Sequence, residues 1–140
     1  MQLESADAVL ALRPGPIDLD VGAVDPYPPG SAAAFEVRAF FPKDGTTVED
    51  PVTGSLNASL AQWLTATSRA QAPYVASQGT ALGRRGRVHV CADAEGAIWV
   101  GGATTTRVRR PCGALIGTPL GLRAGRAGIE PATLLAFRLS

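Results

Sequence analysis

With 140 residues, 46% of them hydrophobic and 18% charged, the chain holds enough apolar material for one domain with a real core, but not for two. Thirteen basic against twelve acidic residues leave a formal charge of +1, which speaks against a nucleic-acid binder and a highly charged disordered chain. No apolar run approaches the ~18 residues of a membrane span, and the opening segment lacks the basic and long apolar regions of a signal peptide, so a cytoplasmic protein is expected.

Charge is unevenly divided. Residues 1–106 carry seven basic and eleven acidic side chains (−4), whereas 107–140 carry six arginines against Glu130 alone (+5). Twelve of the thirteen basic residues are arginine, which together with abundant Ala, Gly and Pro reads as coding bias.

In chain order, Val9, Leu10, Ala11 and Leu12 form a short apolar run that stops at Pro14 and Pro16, and a short strand is expected there. Three prolines and a glycine within residues 25–31 predict a loop. Phe35, Val37, Ala39 and Phe41 then alternate with Glu36 and Arg38, the period-two pattern of a half-buried strand. Residues 43–53 read as a loop. From Gly54, apolar residues recur at Leu56, Leu60, Trp63 and Leu64, which predicts a helix. Thr53 or Ser55 is placed to cap it, and its low charge predicts enclosure by the domain. Strands are predicted over 74–77, 87–92 and 97–100, with another candidate over 103–108. Residues 93–96, ending in Gly96, read as a hairpin turn. The order strand, helix, antiparallel strands indicates an α+β fold. Residues 109–140, broken by glycine and proline, form a tail of doubtful structure, for which little beyond a strand or helix within 133–139 is expected.

The chemistry concentrates at Glu49-Asp50-Pro51-Val52-Thr53-Gly54-Ser55. Two carboxylates precede a rigid turn, and Thr-Gly-Ser opens a helix whose first amides are free and carry the positive end of its dipole. Such an end can bind an anion. Gly54 allows a substrate carboxylate close to the backbone, Ser55 adds a hydroxyl, and Asp50 supplies a proton-transfer group. The plain alternative is an ordinary capped helix with acidic residues near its start.

Elsewhere the structural reading prevails. His89, the lone histidine, falls on the strand face opposite Val88 and Val90. Cys91 shares its parity without a visible base or metal partner, and two cysteines, Cys91 and Cys112, fit neither a disulfide framework nor a four-ligand zinc site. Trp63 and Trp99 read as core or half-core. Arg84, Arg85 and Arg87 flank Gly83 and Gly86 in what reads as a solvated turn, with a role near an acidic substrate left open.

The strings FFPKDGTTVEDPVTGSLNASLAQWL, YVASQGTALGRRGRVHV and AIWVGG resemble, in order and spacing, the second half of the PhzF family of phenazine-biosynthesis-like proteins. The resemblance covers residues 35–108 well and residues 1–34, a partial lead-in, loosely. It implies one diaminopimelate epimerase-like half-domain, a curled mixed or antiparallel sheet around a central helix, with the active site between two such halves at their helix N-termini. It further implies cofactor-independent acid–base isomerisation of a small carboxylate-bearing substrate, without a metal. Asp50 and Ser55 match catalytic positions, Thr53 and Gly54 the substrate-carboxylate turn, and Gln78 and Gly79 the cleft-lining QG element. A buried Gln78 bonding a turn is the alternative. The family's glutamate base and its histidine-bearing turn belong to a first half that this chain does not contain, and Glu49 is no convincing substitute. The chain is therefore expected to need a partner half or to form a homodimer, the alternative being an inactive remnant or a small-anion-binding module.

Overall fold

The computed structural model describes residues 1–104 and the backbone of a final strand. Seven described strands form one mixed sheet: β1 (Val21–Pro26), β2 (Phe35–Lys43), β3 (Thr46–Asp50), β4 (Tyr74–Gln78), β5 (Gly86–Ala92), β6 (Ile98–Thr104) and β7 (Thr133–Arg138). Two helices, α1 (Ala6–Ala11) and α2 (Gly54–Ala66), complete the α+β architecture. The sheet order is β1-β2-β4-β5-β6-β7, with β3 also on β2. All pairs are antiparallel except β2 with β4, which α2 connects by crossing over the sheet.

β2 organises the site. Ala39 and Phe40 pair with Gly22 and Val21 on one edge and with Asp50 and Glu49 on the other, while Phe35, Glu36 and Val37 pair with β4. β3 and β4 therefore share one edge of β2 and converge with their C-terminal ends, Asp50 beside Ala39 and Gln78 beside Val37. The chain leaves this split to start α2.

The main core lies between α2 and the sheet. Ala58, Ala61 and Leu64 pack with Val24, Val37, Ala76, Val88, Val90 and Val100. Small Ala58 and Ala61 let the helix lie close to the strands, whereas Leu56 and Leu60 are only half-buried and Trp63 is 38% exposed. Trp63 is thus a surface residue, covered by the Arg69 guanidinium 5.1 Å from its ring centre. The expected enclosure of α2 is also corrected: Ser55, Ser59, Gln62 and Trp63 leave its outer side open.

Other expectations change for local reasons. The apolar run at 9–12 forms the end of helix α1, with Leu12 its C-cap residue, rather than a strand, because Ser5 caps the helix by accepting from the Ala8 N–H at 3.1 Å and Asp7 sits in its first turn. Residues 46–50 form β3 instead of a loop. Asp44 and Gly45, with φ of 50° and 75°, make a two-residue hairpin turn whose twist matches the flanking strands. β2 is buried on both faces, not half-buried, since α1 covers the side opposite α2. Residues 98–104 form one continuous strand where two were expected.

The 93–96 turn is as expected: Gly96 has φ of 82° and donates its N–H to the Asp93 carbonyl at 3.0 Å. β7 pairs along β6 from Trp99↔Arg138 to Thr104↔Thr133. The expected tail boundary at residue 109, the 105–108 part of the second strand candidate and Cys112 lie outside the described residues.

Candidate active site

A cavity of about 360 Å³ opens at the start of α2, lined by Asp50, Thr53, Ser55 and Ser59 together with apolar Phe41 and Leu56. Each polar group is there for a topological reason. Asp50 ends β3 at the split in the sheet, Thr53 is the N-cap residue of α2, and Ser55 and Ser59 lie on the helix side left uncovered.

The turn between Asp50 and α2 is held from within by Gln78, which is fully buried. Its Oε1 accepts from the Thr53 N–H at 3.1 Å and from Asn57 Nδ2 at 2.7 Å. Its Nε2 donates to the Asp50 carbonyl and to Thr53 Oγ1, both at 3.1 Å. Asn57 Nδ2 also donates to the Thr53 carbonyl at 2.9 Å. One buried amide thus ties together backbone and side-chain groups of the turn where β3 and β4 diverge, with both of its own polar atoms satisfied.

Gly79 lies beneath the same turn with φ of 83°, and a Cβ there would meet the Pro51 carbonyl oxygen at 2.6 Å. Only glycine combines that backbone conformation with so close an approach. The QG pair is thus assembled with the other predicted residues, yet buried under the turn, and Gln78 follows the alternative of a satisfied interior amide.

Thr53 Oγ1 donates to Asp50 Oδ2 at 2.6 Å, fixing the carboxylate toward the cavity. The hydroxyl is consequently not a helix cap, and α2 has neither a side-chain cap bond nor an acidic residue in its first turn. That differs from the expected capping by Thr53 or Ser55. The first amides of α2 carry the positive end of the helix dipole, without a side-chain cap, beside an exposed Ser55 and an exposed Gly54 with no atom near its Cβ position.

Glu49 takes a different course. Its side chain leaves β3 on the opposite face and receives Arg38 in a two-point ion pair, Nη2 to Oε2 at 2.6 Å and Nε to Oε1 at 3.0 Å, with both side chains over 90% buried. Arg38 Nη1 also donates to the carbonyls of Val9, Leu10 and Leu12 at the end of α1. Glu49 is committed to structure and is absent from the cavity.

The remaining residues fall outside the site. His89 and Cys91 sit opposite Val88 and Val90 as expected, and Trp99 is half-buried, donating Nε1 to Asp93 Oδ2 at 3.0 Å. Arg84 and Arg85 are exposed, while Arg87 Nη1 donates to Ser77 Oγ at 2.9 Å. Among the described residues no three His, Cys, Asp or Glu side chains are grouped to hold a metal ion, and no helix is long and apolar enough to cross a membrane.

The PhzC-PhzF family model, described as phenazine biosynthesis-like protein, matches residues 2–109. The chain belongs to this family. The PhzC-PhzF match begins ahead of α1 and so takes in residues 2–34 as well as the Asp50 turn, and it points to a phenazine-biosynthesis-like kind of function. No curated protein and no solved structure matches the chain.

Sequence reading missed β1 and the packing of Arg38 against Glu49. Gly22, Asp25 and Pro26 weaken the strand signal of β1, and an ion pair between strands leaves no local pattern. The Asp44-Gly45 pair was the available signal for the β2–β3 hairpin.

Proposed function

We propose that the chain is one wall of a cofactor-independent isomerase site that relocates a proton on a small carboxylate-bearing substrate. The reading is carried by the open end of α2, where an uncapped helix start, the Ser55 hydroxyl and the Asp50 carboxylate border one cavity. The substrate carboxylate accepts from the amides at Gly54 and Ser55, the helix dipole offsets its charge, and Asp50, oriented by Thr53, takes or returns the proton. Thr53 acts through Asp50, and Gln78 and Gly79 shape the turn rather than touch the substrate.

Proton relocation needs a second acid–base group, and Glu49 is closed off by Arg38. The second wall is a partner half, supplied by another chain or by a second copy of this one, seated on the open side of α2 at Ser55 and Ser59. Without it, activity of the chain is negligible while carboxylate binding is retained. In a symmetric dimer two Asp50 carboxylates brought together would favour one protonated and one ionised, an acid beside a base.

The test is solvent-deuterium incorporation into a panel of cyclic and open-chain amino and hydroxy acids. The wild-type chain, Asp50→Asn and the wild-type chain mixed with a first half from another member of the family are compared. Incorporation is expected only in the mixture and only with Asp50 intact. Exchange by the chain alone that disappears in Asp50→Asn would establish a self-sufficient enzyme. No exchange in any combination, with carboxylate binding intact, would favour a small-anion-binding module.

A further inference from the structure

Glu36 is fully buried on the α1 side of the sheet, away from the cavity at the start of α2. Its Oε2 accepts from the Tyr27 hydroxyl at 2.8 Å and from Thr80 Oγ1 at 3.1 Å, while its Oε1 is enclosed without a hydrogen-bond partner. Among the described residues no cation pairs with it, since Arg38, two residues along the same face, is taken by Glu49. Asp25, also buried, stands directly across from it on β1 and brings a second negative charge to that face. A buried carboxylate with an orphaned oxygen and a like charge opposite burdens the fold, so stability does not account for it.

What Glu36 holds is the element beneath the candidate site. A carboxylate only accepts, so the Thr80 hydroxyl proton is directed to Glu36. The Ser77 hydroxyl, 3.0 Å from Thr80 Oγ1, then donates to Thr80, and Ser77 Oγ accepts from Arg87 Nη1 at 2.9 Å. Thr80 directly follows Gln78 and Gly79. Gln78 is tied to the Asp50-to-Thr53 turn on the α2 side, and Thr80 is tied to Glu36 on the α1 side. Gly79, between these two anchors, lies close under the Pro51 carbonyl. We propose that Glu36 is a positioning residue of the site. Acting through the Thr80 hydroxyl from the far face of the sheet, it fixes Gly79 and with it the turn that presents Thr53 and the first amides of α2. The proposal rests on the reading of the α2 start as the carboxylate-binding wall.

The test sets binding against stability. Pentanoate is titrated into the full-length chain and followed through the amide NMR shifts of Gly54 and Ser55, with urea denaturation of the same samples. Glu36→Leu removes the hold on Thr80 together with the buried charge, and the hydroxyls it frees, at half-buried Tyr27 and exposed Thr80, turn to water. Binding should weaken about fivefold, the worth of one net hydrogen bond, while the denaturation midpoint stays near that of the wild type. Thr80→Val should weaken it equally, and the double variant no further than either single one, because both cut the same link. Glu36→Gln, whose amide oxygen can still accept from Thr80, should keep wild-type binding. Tyr27→Phe, which loses the other bond to Oε2, should leave binding unchanged. Unchanged binding in Glu36→Leu and Thr80→Val, additive losses in the double variant, or an equal loss in Tyr27→Phe overturns the role of Glu36 while leaving the carboxylate-binding wall standing. If pentanoate shifts neither amide in the wild-type chain, that wall and the role of Glu36 fall together.

Discussion

Glu49 and Asp50 are neighbours in the chain and opposites in use. On the α1 side of the sheet, Glu49 is buried, doubly bonded to Arg38 and tied through it to the end of a helix. On the α2 side, Asp50 is held by one hydroxyl and borders a cavity. The alternation of a strand separates adjacent side chains by the thickness of the sheet, and what covers each face decides which carboxylate is structural and which is available to a substrate. Around Arg38 the α1 face spends its polar groups on stability. The α2 face satisfies its backbone through a buried amide and leaves a carboxylate and a helix end unspent.

The contrast is broken most severely at Arg38. Arg38→Met removes the ion pair and three carbonyl contacts and leaves Glu49 buried and unpaired, so chemical denaturation should show a loss of about 3–5 kcal/mol. Adding Glu49→Leu should restore much of it, because a buried pair replaced by apolar side chains is often neutral.

Gln78→Leu attacks the α2 side from within. It removes the partner of the Thr53 N–H and the bonds to the Asp50 carbonyl and to Asn57, and a loss of about 2–3 kcal/mol is expected from the same denaturation measurement. Carboxylate binding at Gly54 and Ser55 should weaken with it, which Arg38→Met in a folded sample should not reproduce. Thr53→Val is milder, costing about 1 kcal/mol for one lost hydroxyl.

The smallest effect is a pH dependence carried by two tyrosines beside the start of β2. Burial, followed by the hydrogen bond to Glu36, pushes Tyr27 up to about 12, and burial alone does the same to Tyr74, which packs edge-on against Phe35. A phenol whose pKa is higher in the folded chain than its usual 10.0 contributes stability that is complete below that value and lost as pH rises toward 12. The thermal midpoint should therefore fall between pH 10 and 12, less steeply in Tyr74→Phe or Tyr27→Phe than in the wild type.

How much of this was legible follows from the range of each signal. The helix at 54–66, the strands at 74 to 92 and the Gly96 turn were readable because period and turn chemistry are local. The Asp50-to-Ser55 turn was readable as a concentration of chemistry, and its resemblance to the PhzF family named a function for it. The α1 helix was misread because four apolar residues carry no period of their own, and its cap, Ser5, lies just outside them. Burial of Glu36 and Arg38 was invisible because a charged residue in alternation signals an exposed face unless a partner is known, and Glu49, Tyr27 and Thr80 come from distant strands and loops.

The central claim is that the start of α2 is the carboxylate-binding wall of the site. Titration of the isotopically labelled chain with pentanoate tests it most directly. The largest amide shifts should fall at Gly54 and Ser55 and saturate together. Shifts concentrated instead at the exposed arginines of residues 84–87, with Gly54 and Ser55 unmoved, would contradict the account.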